Sequence, residues 1–145
     1  MKTKIKRCAL FALMLCILAV GIFAPAKKAE AAVAFNNLLS ETVACSVDSD
    51  GQLSAHMTAF GIKGTTTRIK VQLYVEKRIL GLLWSKIDIG CTDDIWEDST
   101  TSHIYENIFT TQLGSHGTYR VTVTFTVYGT GGANDVIQER RTVAY

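Results

Sequence analysis

From Tyr119 to Tyr128 the chain alternates without a break: Tyr119, Val121, Val123, Phe125 and Val127 share one parity, and Arg120, Thr122, Thr124, Thr126 and Tyr128 share the other. Period two sustained over that length describes an extended strand with one buried and one wet face, a pattern that an α-helix cannot present. Arg68 to Arg78 repeats it with Ile69, Val71, Leu73 and Val75 inward, and Leu53, Ala55, Met57 and Ala59 repeat it more weakly. Beyond residue 31 the chain has no proline and sixteen threonines, and clusters of Gly, Asp, Asn and Ser separate the alternating stretches. This is a β composition. Further strands are expected near Leu38 to Val47, Leu83 to Ile89, Ser102 to Gln112 and Asp135 to Tyr145, about seven strands in all. Asp48-Ser49-Asp50-Gly51, Gly61 to Thr67 and Thr130 to Asn134 supply turn chemistry between them. The expected architecture is all-β, an antiparallel sandwich.

Leu113, Gly117 and Tyr119 add the L-x3-G-x-Y spacing of a tyrosine corner, in which the phenol bonds backbone while its ring joins the core.

The front of the chain is different in kind. Lys2, Lys4, Lys6 and Arg7 precede a 17-residue apolar run from Cys8 to Ala24, and Ala29-Glu30-Ala31 follows. Charge, apolar run and small-x-small triplet read as a Gram-positive-type export signal over residues 1–31, leaving 32–145 as a secreted β-sandwich domain. Ala24-Pro25-Ala26 is a competing cleavage site. Retention of the run as a membrane anchor is a further alternative, since its length lies at the short limit for a spanning helix. Leu13-Met14-Leu15 before Cys16 lacks the small residues that lipidation would require.

Export changes the charge. The whole chain has 15 basic and 13 acidic residues, but residues 32–145 hold nine and twelve, a net of −3. Nucleic-acid binding loses its basic footprint.

Leu53-Ser-Ala-x3-Ala, Gly64-Thr65-Thr66-Thr67-Arg68-Ile69-Lys70-Val71, Tyr74-Val75-Glu76-Lys77, Trp84 and Gly117-Thr118-Tyr119-Arg120-Val121, in that order, resemble a family of small secreted proteins of clostridia and related Gram-positive bacteria, a domain of unknown function. The resemblance implies an immunoglobulin-like sandwich outside the cell and brings no activity with it. The chain departs from that pattern at Ile79-Leu80-Gly81-Leu82-Leu83, where a polar hairpin tip is expected.

Cys45 and Cys91 are the only cysteines beyond residue 31, and an oxidising compartment favours a disulfide between them. Such a bridge would contribute about 4 kcal/mol in the chain-entropy model. The alternative is an inward thiol at Cys45, beside Val43 and Val47, with a loop thiol at Cys91. Asp93, Asp94, Glu97 and Asp98, joined by Asp48 and Asp50, could supply oxygen ligands to calcium but lack a calcium-loop spacing. A solvated acidic loop is the expected reading, and no metal or cofactor is expected. Ser102, His103 and His116 are raw material for a hydrolase, yet no G-x-S-x-G elbow or H-E-x-x-H pair arranges them. No catalytic residue is assigned, and the protein is expected not to be an enzyme.

The segment from Ile79 through Leu80, Leu82 and Leu83 to Trp84 puts five apolar side chains and one glycine at an expected hairpin tip, flanked by Lys77, Arg78 and Lys86. A contiguous exposed apolar patch marks a partner, ligand or membrane surface. It would suit a protein or cell-surface partner, or an anionic lipid surface. The competing reading folds the leucines under a neighbouring loop and places Trp84 in the core. Two other functions are carried: self-association through an edge strand, Leu38 to Val47 or Asp135 to Tyr145, and glycan binding by Trp84, Trp96 and Tyr105. With no sorting motif after the last expected strand, free secretion is the expected fate.

Overall fold

The computed structural model describes residues 35–145; the export signal assigned to 1–31 lies outside them. Eight strands follow in order: β1 Leu38–Val47, β2 Gln52–Gly61, β3 Thr66–Ile79, β4 Leu83–Lys86, β5 Trp96–Thr100, β6 Ile104–Gln112, β7 Thr118–Gly129 and β8 Asp135–Ala144. They form an all-β antiparallel sandwich. One sheet has the order β1-β2-β6, and the other has β4-β3-β7-β8 with β5 also paired to β3. First, second and sixth strands thus face third, seventh and eighth, so the chain crosses between the two sheets.

Alternation does the folding work. Ile69, Val71, Leu73 and Val75 of β3 lie beside Val127, Phe125, Val123 and Val121 of β7, all fully buried. On the facing sheet Ala55 and Ala59 of β2 lie opposite Phe109 and Tyr105 of β6, small against large, and all four are buried. Residues 35–145 lie within one compact unit, and the core runs from Leu38 to Val127 within it.

The tyrosine corner is present. Tyr119, 1% exposed, donates its phenol hydrogen to the Ser115 carbonyl at 2.5 Å. Where the structure departs from the expected strands, polar groups explain it. β5 has no apolar alternation: its inward positions are Trp96, Asp98 and Thr100, opposite Leu73, Val71 and Ile69. Asp98 can face inward because Tyr105 and Asn107 both donate to it, at 3.2 and 2.8 Å. That buried partnership raises the Tyr105 phenol pKa, chiefly by desolvation and then by the Asp98 charge. β4 ends at Lys86 rather than Ile89, although Ile87 still donates to the Val75 carbonyl. β6 begins at Ile104, because the Ser102 hydroxyl accepts from the Ile104 N–H and closes a turn before it.

Cys45 and Cys91 are both free thiols, so the expected disulfide is not formed. Topology keeps them apart. Cys45 sits on β1, on the flank where Arg141 of β8 reaches the Val43 carbonyl. Cys91 lies in the loop that joins β4 to β5, on the opposite flank. From β4 to β8 there are three strand spacings of about 4.8 Å, whereas a disulfide requires Cα atoms within about 7 Å. Burial pushes the Cys45 thiol up to about 11, with Arg141 pulling the other way.

Candidate functional site

The tip projects because β3 outruns its neighbour. β3 and β7 pair only as far as Lys77 opposite Tyr119, and β3 then continues with β4 alone, through Arg78 opposite Trp84 and Ile79 opposite Leu83. The turn closes with the Leu82 N–H donating to the Ile79 carbonyl at 3.1 Å. Leu80 (φ 51°) and Gly81 (φ 71°) are both left-handed. Glycine adopts that conformation freely, but for leucine it costs roughly 1–2 kcal/mol.

No neighbouring element covers the leucines. Leu80 is 88% exposed, Leu82 81% and Leu83 66%. Trp84 is half-buried and turned to the outer face of the larger sheet, where the Arg120 guanidinium lies 4.4 Å from its ring centroid and that of Arg78 lies 5.9 Å away. Arg120 is oriented by Glu76, which accepts from its Nε at 2.7 Å. Lys86 lies 5.0 Å from the Tyr74 ring on the same face. The reading in which the leucines fold back and Trp84 enters the core does not describe this hairpin. Ile79, Leu80, Leu82, Leu83 and Trp84 are brought together at one end of the sandwich, with basic side chains behind them.

The other candidate residues are dispersed. Ser102 and His103 precede β6 and His116 follows it, so the strand itself, about 30 Å long, separates them. Ser102 holds its own turn, the His103 carbonyl accepts from Gly61, and the His116 ring lies 4.2 Å from that of Tyr145. A recess of about 610 Å³ beside the β4–β5 connection is lined by Cys91, Asp93, Trp96 and Glu97, and by none of those three residues. The acidic cluster is split between faces. Glu97 points outward to Lys70 at 3.1 Å and to Gln72, which hold its carboxyl below the usual range, the Gln72 hydrogen bond most of all. Asp98 points inward, and Asp48 caps its own turn by accepting from Asp50 and Gln52. Among the described residues no group of three or more His, Cys, Asp or Glu side chains could hold a metal ion.

Trp84, Trp96 and Tyr105 do not form one aromatic surface. Trp96 packs inward on Phe109 at 5.6 Å, and Tyr105 is buried, while Trp84 faces out.

One feature invisible in the sequence is the seam between β1 and β8. The buried Asp135 carboxylate accepts three backbone N–H groups, from Asn36, Asn37 and Leu38, at 3.0, 2.6 and 3.0 Å. Fully buried Asn37 donates to the Ala133 carbonyl and accepts from Gly131. A Cβ at Gly131 would lie 2.1 Å from the Asn36 carbonyl oxygen, so only glycine fits there. A little further along, Arg141 donates to the Val43 carbonyl at 2.9 Å and pairs with Glu139 at 2.6 Å.

No family model, curated protein or solved structure matches the chain. The functional reading therefore rests on residues and geometry.

Proposed function

We propose that the protein is an exported, non-enzymatic binding module. Residues 1–31 serve as its export signal, the sandwich is a rigid mount, and Ile79, Leu80, Leu82, Leu83 and Trp84 are the contact site for a protein or cell-surface partner. The observation that carries this reading is the exposure of three leucines at one turn, one of them in a conformation that disfavours it. Each Leu left in water forgoes roughly 1.5–3 kcal/mol of burial. A partner that covers the tip recovers it.

Assembly through β1 finds less support. A free edge invites another strand, and blocking it opposes that pairing; here Arg141 occupies the Val43 carbonyl and Asp135 occupies the first N–H groups.

The test is the double variant Leu80→Ser/Leu82→Ser. Its melting temperature should stay within about 2 °C of the unsubstituted protein, as expected for exposed positions away from the core. Retention on washed Gram-positive cells, read by immunoblot, should be lost. A fall of about 8 °C or more, or retention that survives the substitutions, would remove the tip as contact site.

A further inference from the structure

The geometry points to an anionic phospholipid surface as the partner of the tip, an inference that rests on the contact-site reading above and specifies what the site meets. Residues 32–145 have a net charge of −3, yet their cations are not spread evenly. Strand register places Arg68, Lys70, Arg78, Lys86, Arg120 and Arg140 on the outer face of the larger sheet, with Glu76 and Glu97 as the acids among them. Both acids are already neutralised, Glu76 by Arg120 at 2.7 Å and Glu97 by Lys70 at 3.1 Å. The outer face of the smaller sheet carries His56 and Glu106 but no lysine or arginine. An acidic domain has thus gathered its positive charge on one side, and the apolar tip stands at the end of that side.

The shape of the tip favours lipid over an acidic protein. Leu80 and Leu82 flank a glycine whose missing side chain would meet nothing within 4 Å, so the apex is convex and open. A folded partner would have to offer a matching pocket to cover such an apex. Acyl chains close around it without one. Trp84, one register step behind Leu83 and level with Arg78 across the hairpin, has the place that tryptophan favours, at the boundary of hydrocarbon and headgroup. Arg78 and Lys86, both exposed, would then lie at phosphate level. Cations at that level add to the affinity gained from the buried apolar side chains.

Co-sedimentation of residues 32–145, which contain the whole compact unit, with phosphatidylcholine vesicles that contain or lack phosphatidylglycerol tests the inference. Binding is expected only where phosphatidylglycerol is present, with a blue shift of tryptophan emission that Trp84→Phe abolishes. Arg78→Gln and Lys86→Gln should each weaken it about fivefold, added salt should weaken it further, and Leu80→Ser/Leu82→Ser should weaken it by about a hundredfold or more. Equal binding to both vesicle types, or to neither, overturns the lipid inference. So does binding that survives the serine substitutions and is competed by heparin, which would indicate a soluble polyanion on the basic face. If vesicles fail while retention on cells still depends on Leu80 and Leu82, the lipid partner is wrong and the contact site stands. If retention on cells does not depend on them, the contact site itself is wrong.

Discussion

The β1–β8 seam and the β3–β4 tip treat their side chains in opposite ways. At the seam a carboxylate is buried, and three backbone donors converge on it within 3.0 Å. At the tip three leucines stand in water, and one of them sits at φ 51°. Burying polar groups is tolerable only when every one is satisfied, and exposing large apolar groups forgoes stability. The seam therefore meets the demands of folding, satisfying backbone groups at the start of β1 that would otherwise be buried without partners. The tip contributes little burial to the fold, which is what the proposed contact site requires.

The largest break in that contrast should come from Asp135→Ala. It leaves the N–H groups of Asn37 and Leu38 buried without an acceptor, and that of Asn36 partly so, at about 1–3 kcal/mol for each buried group. A loss of roughly 3–5 kcal/mol is expected, measured by urea unfolding. Retention on cells by the folded fraction should be unchanged. A smaller effect of the opposite sign is expected at the tip. Leu80→Gly relieves the left-handed strain but loosens the unfolded chain, so a net gain of about 0.5 kcal/mol is expected, together with weaker binding. Stability and binding would then move in opposite directions at one residue, which a purely structural tip would not show.

The smallest effect concerns Cys45, beside the seam. Its thiol is held near 11 from an ordinary 9.0. Thiolate is the reactive form, so alkylation by iodoacetamide in the folded protein should be slow at neutral pH and rise only as the pH approaches 11. The unfolded chain releases this proton first, so its contribution to stability is complete below pH 9 and is lost as the pH rises through that window. Rapid labelling of folded Cys45 at pH 7 would show that the inward thiol is not where it is described.

The fold was legible where burial follows period two. The sequence marks β1 with its observed bounds and β3 and β7 within two residues at either end, and for β3 and β7 the reason is that Ile69 to Val75 and Tyr119 to Val127 present only apolar residues inward. β5 was missed because its strand has an inward Asp98, satisfied by Tyr105 and Asn107 from another element. A one-dimensional pattern cannot register a partner supplied by the third dimension. Asp135 was hidden for the same reason: alone it reads as a turn residue, and its role appears only when Asn36, Asn37 and Leu38 are folded onto it. The cysteines invited pairing by compartment and count, whereas the strand order puts them on opposite flanks. The tip residues were legible as an apolar interruption among turn chemistry. That β3 outruns β7 and leaves them uncovered was not.

Exposure of the tip leucines to solvent is the claim on which the contact site depends, and methyl NMR with a soluble paramagnetic probe measures it directly, with Leu73, which is fully buried, as the internal reference. The Leu80 and Leu82 methyl signals should broaden strongly while those of Leu73 do not. Protection of Leu80 and Leu82 to the same degree as Leu73 in the monomer would contradict the account.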